Sequence, residues 1–292
     1  MMSNLLLLAQ TQPTTSPAVV AIVATLEILC LIGLIPSAIA IHRRKLYTVP
    51  PIPTLPSSTM PAVLLAIIAA AILTFIAVLS FYASVLHLDH AALTSPAGVR
   101  KMVFIQPLAQ LAGAGIAVIL LANLRLLPAL FYWPQMRSRP IRHAALTWLL
   151  VIPWVCLAGV IVERIVRFTG GNPSTKHVFF TVWQGEPAGV TALKVVAFLS
   201  AAVAAPIAEE IVFRGLLQRM IQSLTGRPFV AILLASLAFA MVHEPWTIQP
   251  GVFVLSLFLG LAYFRTGSLL VPIFAHALFN ATQLIFFMLM PA

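Results

Sequence analysis

Apolar segments of membrane-spanning length follow one another along most of this chain. A transmembrane helix needs about 20 consecutive, mostly apolar residues, and about eight segments approach that length. Composition agrees, because 61% of the residues are hydrophobic and only 8% are charged, whereas about 25% are charged in a soluble domain. We therefore predict an all-α, polytopic membrane protein, a bundle of about eight transmembrane helices. The predicted spans are 18–41, 61–86, 103–127, 144–164, 188–219, 228–243, 247–264 and 267–289.

The polar stretches between these segments divide the chain into three parts. Residues 1–17 contain only a short apolar run with no basic residue before it, so we expect a flexible tail and no signal peptide. Residues 18–187 hold the first four helices and show no cluster of reactive side chains. Residues 188–292 hold the last four helices and all of the candidate chemistry. We expect both halves to form a single integral membrane bundle.

Basic residues gather at the ends of the apolar segments. The net charge of +10 could suggest nucleic-acid binding, but this clustering is the topology signal of membrane proteins. The more basic side of the bundle should face the cytoplasm, which would place both termini on the opposite side of a bacterial plasma membrane. That side carries Arg43, Arg44, Lys45, Arg125, Arg137, Arg139, Arg142, Arg219, Arg227 and Arg265.

Residues 205–215 bring three charged side chains into an otherwise apolar run. A charge near the bilayer centre costs about 3 kcal/mol or more, so its presence suggests a function. Glu210 and Arg214 are four residues apart and can pair on one helical face. Glu209 points about 100° away around the same helix. The arginine can therefore hold one carboxylate while the other stays free to react.

Two further patterns lie in the following apolar segments. Phe239 and His243 are four residues apart, as are His276 and Asn280, and this spacing places each pair on one helical face. If these faces converge with the Glu209 region, carboxylates, imidazoles, an amide and a guanidinium would share one polar pocket. Each pair alone could equally be a helix end or a hydrogen bond between helices.

Such a pocket suits the hydrolysis of an acyl bond. A carboxylate in an apolar pocket loses hydration and becomes a better general base for water. Histidine and asparagine side chains can donate hydrogen bonds to the resulting oxyanion. The sequence shows no Ser, Cys or Thr next to a base at a recognisable spacing, so a covalent nucleophile is not indicated.

Other readings of the same residues stay open. Two histidines and a glutamate also make a catalytic zinc set, although the sequence has no His-Glu-x-x-His helix. Cys30 and Cys156 lie within apolar segments and suggest buried packing more than a metal cage. The charges could instead form the relay of a proton-coupled transporter, or the protein could be a non-proteolytic scaffold of the immunity type.

The three patterns, in this order on successive apolar segments, resemble the type II CAAX prenyl endopeptidases and their bacterial relatives. Those relatives are known as the CAAX protease and bacteriocin-processing, or abortive-infection, family. The resemblance covers roughly residues 190–290. It implies an eight-helix bundle with an intramembrane catalytic cavity open to the cytoplasm, and an endopeptidase acting on a membrane-associated protein or peptide. A prenylated CAAX tail is the substrate of some family members. The resemblance leaves a zinc cofactor open, and the clustering of the basic residues argues against a nucleic-acid partner.

The resemblance also assigns roles to individual residues. By analogy, Glu209 activates the attacking water and His243 assists. His276 and Asn280 form the oxyanion site, while Glu210 and Arg214 orient the catalytic carboxylate.

Overall fold

The structure, a computed structural model, describes residues 24–25, 28–46, 59–86, 95–127, 140–171 and 191–289. The predicted tail 1–17 lies outside this part of the chain. Helices account for nearly all of the described residues, which confirms the all-α prediction. They are α1 (Leu34–Arg43), α2 (Met60–Val85), α3 (Pro96–Asn123), α4 (Pro140–Phe168), α5 (Ala192–Thr225), α6 (Pro228–Met241), α7 (Gln249–Thr266) and α8 (Leu270–Leu289).

Helix length and apolarity support a polytopic membrane bundle. Among the described residues, 5 helices are long and apolar enough to cross a membrane. The shorter apolar helices are Ile28–Arg43, Pro228–Met241 and Leu270–Phe286. These helices correspond in order to the predicted segments, including the short segment before residue 243. The prediction of a multi-helix membrane bundle is therefore confirmed.

Helix α2 shows how the apolar residues divide between the core and the surroundings. Leu64 and Ala71 are buried, whereas Leu73 is 65% exposed and Phe81 is 63% exposed. Large exposed apolar side chains recur on most of the other helices. A helix that is apolar on every side belongs in a membrane, so these exposed faces are suited to contact lipid.

Local signals fix where several helices begin and end. The Ser95 hydroxyl accepts a hydrogen bond from the Gly98 N–H at 3.1 Å and caps α3, and Thr191 caps α5 in the same way. Gly226 after α5 and Gly267 after α7 have φ values of 66° and 63°. This left-handed conformation favours glycine, which ends both helices.

In the part of the chain that the structure describes, two apolar clusters pack the helices together. The larger joins α2, α3, α5, α6 and α7, and the smaller joins α4, α7 and α8. At one end of the bundle, the Arg265 guanidinium donates to the Lys45 carbonyl at 2.7 Å. This contact brings together two of the basic positions that the sequence assigns to the same side of the membrane.

Helix α5 departs from regular α-helical geometry at two places. Ser200–Ala204 and Ile211–Gln218 are π-helical, and a short α-helical stretch, Ala205–Glu210, lies between them. π-helical turns are wider than α-helical turns and occur frequently at functional sites. The acidic pair at 209–210 therefore lies at the end of the regular stretch, between two wide turns.

Candidate active site

A buried ion pair between Glu210 and Arg214 forms the innermost part of the site. Arg214 Nη1 lies 3.0 Å from Glu210 Oε1, and these side chains are only 1% and 0% exposed. The pairing expected from their spacing is therefore present. On the facing helix α7, the Ser256 hydroxyl accepts a hydrogen bond from Arg214 Nη2 at 2.8 Å. The guanidinium is thus held by its own helix and by a neighbouring one.

His276 on α8 stands between the two carboxylates. Its Nδ1 lies 2.9 Å from Glu210 Oε1, and a carboxylate paired with arginine is an acceptor, so Nδ1 carries the proton. Its Nε2 lies 3.9 Å from Oε2 of Glu209. That separation is longer than a direct hydrogen bond and suits a bridging water.

Glu209 is the accessible member of the acidic pair. Its side chain is 21% exposed, whereas that of Glu210 is fully buried. Its charge interacts electrostatically with His276, His243, Glu210 and Arg214. The predicted division is thus observed: one carboxylate is locked into an ion pair, and the other faces the site.

His243 follows the end of α6 and approaches the site from another direction. Its Nδ1 lies 2.7 Å from the Phe239 carbonyl oxygen, which can only accept, so Nδ1 is the donor. The Gln249 side-chain amide donates to the His243 carbonyl at 2.9 Å and holds this turn against the start of α7. The Nε2 atom is the ring nitrogen left for chemistry.

The Phe239 ring packs among the polar groups of the site. It is fully buried, and the Arg214 guanidinium carbon lies 4.5 Å above its centroid, a cation–π distance. Its centroid lies 4.6 Å from the His243 ring, 5.8 Å from the His276 ring and 4.9 Å from the Phe213 ring. One aromatic side chain thus contacts both histidines and the arginine.

Asn280 makes its recorded contact away from the carboxylates. Its Nδ2 donates to the Ala201 carbonyl oxygen at 2.8 Å, in the π-helical turn of α5. His276 and Asn280 share one face of α8, as predicted, but they contact α5 on either side of Glu209. The structure therefore brings Glu209, Glu210, Arg214 and His276 together, with His243 in electrostatic reach, and joins Asn280 to the backbone of the same helix.

Sequence reasoning missed several contributors to this arrangement, among them Ser256, Gln249 and the Ala201 carbonyl. Ser256 is buried and binds Arg214, yet its only signal was a small polar residue in an apolar segment. The Ala201 carbonyl has no side-chain signal at all, because its role depends on the local helix geometry. Within the described ranges, no group of three or more His, Cys, Asp or Glu side chains is arranged to hold a metal ion.

The arrangement can perform general-base chemistry on water in a mainly apolar environment. A partly exposed carboxylate lies 3.9 Å from an imidazole nitrogen, so one water molecule beside them can contact both. The Glu210–Arg214 ion pair holds the other nitrogen of that imidazole. These are the parts required for activating water and for donating a hydrogen bond to a developing negative charge.

Comparison with known proteins supports the family resemblance that was inferred from the Glu-Glu-x-x-x-Arg, Phe-x-x-x-His and His-x-x-x-Asn patterns. Residues 191–282 match the family model described as type II CAAX prenyl endopeptidase Rce1-like. The chain is also 27% identical over 154 residues to the membrane-embedded CAAX protease MroQ of Staphylococcus aureus (strain USA300). That alignment spans 51% of this chain and 58% of the relative, so the match covers little more than half of the relative's length. No solved structure matches the chain. The resemblance to the CAAX protease family is confirmed.

Proposed function

We propose that this chain, which carries an Rce1-like CAAX prenyl endopeptidase domain at residues 191–282, is an intramembrane endopeptidase that uses water activated by Glu209. The observation that carries this proposal is the unequal environment of two neighbouring carboxylates. Glu210 is buried and paired with Arg214, whereas Glu209 is partly exposed and faces Nε2 of His276. This arrangement keeps one carboxylate available as a base.

In the proposed reaction, the Glu209 carboxylate removes a proton from a water molecule. The water oxygen forms a bond to the carbonyl carbon of the peptide, and the carbonyl π electrons move to its oxygen. When this tetrahedral intermediate collapses, the C–N bond breaks and the proton passes to the leaving nitrogen. Proton transfer of this kind typically contributes about 10²–10⁴-fold to the rate.

The proposal assigns His276 to the oxyanion. Its Nδ1 faces the Glu210 carboxylate at 2.9 Å, and a carboxylate in that position fixes the ring orientation and stabilises an imidazolium. A protonated Nε2 can then donate to the developing oxyanion. Arg214 keeps Glu210 ionised for this task through their 3.0 Å contact.

His243 is proposed to assist from the opposite side of the site. Its Nδ1 is engaged by the Phe239 carbonyl, so the ring is fixed and Nε2 is the reactive nitrogen. The Phe239 ring contacts the rings of both His243 and His276, and this proximity supports a role for His243 in the same reaction. No step of the proposed reaction is assigned to a metal ion.

The substrate proposed for this site is a protein or peptide delivered in the plane of the membrane. Glu209 lies within Ala192–Thr225, a helix long and apolar enough to span a bilayer, and apolar side chains cover the outer faces of the bundle. A prenylated CAAX tail is one such substrate. By the positive-inside rule, the end that holds Lys45 and Arg265 would face the cytoplasm of a bacterial cell.

The test is a comparison of membranes containing the wild-type chain with membranes containing Glu209→Gln. New protein termini should appear with the wild-type chain and be absent with the variant. In parallel, purified protein in proteoliposomes should cleave an internally quenched peptide that ends in a farnesylated CAAX sequence or its unprenylated counterpart. Equal sets of termini in both membranes would overturn the glutamate mechanism. pH-dependent solute flux without product peptides would point to a transporter.

A further inference from the structure

Two hydrogen bonds from α8 reach α5 on either side of Glu209 along the chain. One joins His276 to Glu210, and the other joins Asn280 to Ala201. The second contact has no obvious place in the chemistry of the site, because its acceptor is a backbone carbonyl of the helix. The reason for it lies in the hydrogen-bond register of α5.

The turn at Ser200–Ala204 is π-helical, so each N–H bonds the carbonyl five residues earlier. The Ala205 N–H donates to the Ser200 carbonyl in this register. The next bond in the same register would join the N–H of residue 206 to the carbonyl of Ala201. Residue 206 is a buried proline, and proline has no N–H.

The Ala201 carbonyl therefore loses its backbone donor and receives a side-chain donor instead. Asn280 Nδ2 lies 2.8 Å from this oxygen. In a membrane-spanning helix no bulk water can satisfy a freed carbonyl, so neighbouring side chains take over this role. Pro206 thus leaves the Ala201 carbonyl without a backbone donor, and the Asn280 amide supplies one, although the two residues are far apart in the sequence.

We propose that Asn280 is a positioning residue, whose amide replaces the N–H that Pro206 lacks and so fixes the turn of α5 that presents Glu209. Glu209 lies in the short regular stretch Ala205–Glu210, directly after this turn. A shift between π-helical and α-helical register at residues 200–204 would rotate that stretch. Asn280 prevents such a shift from α8, while His276 holds the far end of the stretch through Glu210.

A double-mutant cycle between Pro206 and Asn280 tests the proposal. Asn280→Ala removes the donor and should lower the midpoint of thermal unfolding. Pro206→Ala supplies a backbone N–H at the position of the missing donor. The double variant should therefore unfold near the midpoint of Pro206→Ala alone. If Asn280→Ala does not accumulate as folded protein, its recovery when Pro206→Ala is added is the readout.

Kinetics on the farnesylated CAAX peptide separate positioning from direct chemistry, and this arm depends on the proposed function. Asn280→Ala should lower kcat by roughly ten- to a hundredfold with little change in KM, since a displacement of about 1 Å at a reacting group can cause such a loss. Adding Pro206→Ala should restore most of kcat. An asparagine that donated to the oxyanion would lose the same factor in both backgrounds, and that result would overturn the proposal.

Pro153 provides the matched control, because it is also a buried proline inside a helix. Combining Pro153→Ala with Asn280→Ala should give no recovery of the unfolding midpoint or of kcat. Recovery by this control would show a general effect of removing proline and would contradict the specific pairing. If the wild-type chain cleaves no peptide, the proposed function fails, while the unfolding cycle still decides the role of Asn280.

Discussion

Glu209 and Glu210 approach opposite nitrogens of a single imidazole ring, that of His276. Oε1 of Glu210 lies 2.9 Å from Nδ1, and Oε2 of Glu209 lies 3.9 Å from Nε2. The two residues are adjacent in the chain, but only Glu210 forms an ion pair with Arg214. The helix rotation of about 100° per residue separates them. The same ring can therefore be fixed by one carboxylate while it shares a water with the other.

Replacing the free carboxylate should remove activity and preserve the fold. Glu209→Gln keeps the size of a side chain that is 21% exposed and is not part of the ion pair with Arg214. We expect the rate of peptide cleavage to fall by about 10²–10⁴-fold, because the proposed general base is lost. The unfolding midpoint should change little.

Glu163→Gln is the control for this variant. Glu163 pairs with Arg167 on α4 at 2.9 Å, and the arginine is 43% exposed. Exposed pairs of this kind contribute about 0–1 kcal/mol to stability. Cleavage should therefore continue at the wild-type rate. A Glu209→Gln protein that cleaved as fast as this control would exclude Glu209 as the base.

Replacing the locked carboxylate should have a different effect. Glu210→Gln removes the ion-pair partner of the Arg214 guanidinium, and both side chains are almost fully buried. Breaking a buried pair on one side destabilises a protein by about 3–5 kcal/mol. We expect a clearly lower unfolding midpoint in detergent, together with loss of cleavage. An unchanged midpoint would show that the ion pair contributes nothing to the fold.

The aromatic ring at the centre of the site gives a third prediction. Phe239→Leu removes the ring that lies 4.5 Å below the Arg214 guanidinium and between the two histidines. A desolvated cation–π contact contributes about 2 kcal/mol, so stability should fall. The loss of spacing between the histidines should also reduce kcat by about tenfold or more.

Phe264→Leu separates these two effects. Phe264 is equally buried, and its ring packs against Tyr263 at 5.5 Å between centroids and not against Phe239. It should lower the unfolding midpoint but leave kcat of the folded protein unchanged. If both variants lost stability and neither lost kcat, Phe239 would be a packing residue without influence on the reaction.

Much of the fold was predictable because membrane helices carry their signal locally. Spanning length and apolarity need no knowledge of the partner helices, and the segments read from the sequence correspond to the helices observed. The pairing of Glu210 with Arg214 was predictable for the same reason, since spacing within one helix fixes it. The separation of Glu209 from that pair followed from helix rotation.

Contacts between helices could not be predicted from such local sequence signals. The hydrogen bond from Arg214 to Ser256 joins residues 42 positions apart, and no periodicity within either helix indicates it. The contact of Asn280 with Ala201 depends on a π-helical turn, which changes the register of one helix without a pattern in the side chains. Residue spacing predicted which side chains share a helical face, but it did not predict which residues of other helices they contact.

Helix α3 allows a test of the bundle that does not depend on the chemistry. Gly113 faces α2 so closely that an added Cβ would lie 2.7 Å from the Ala71 carbonyl oxygen, whereas a Cβ at Gly115 would have nothing within 4 Å. A backbone oxygen cannot move aside as a flexible side chain can. We expect Gly113→Ala to push α2 and α3 apart and to cost about 1–3 kcal/mol, the usual range for overpacking.

Gly115→Ala, two residues further along the same helix, should behave in the opposite way. Alanine favours the helix over glycine by up to about 1 kcal/mol, and the space for its methyl group is open. The unfolding midpoint should therefore rise slightly or stay unchanged, while that of Gly113→Ala falls. Because both variants add the same methyl group to α3, any difference between them reports the close approach of Gly113 to Ala71. Equal midpoints would mean that α2 and α3 do not pack at this distance in the membrane.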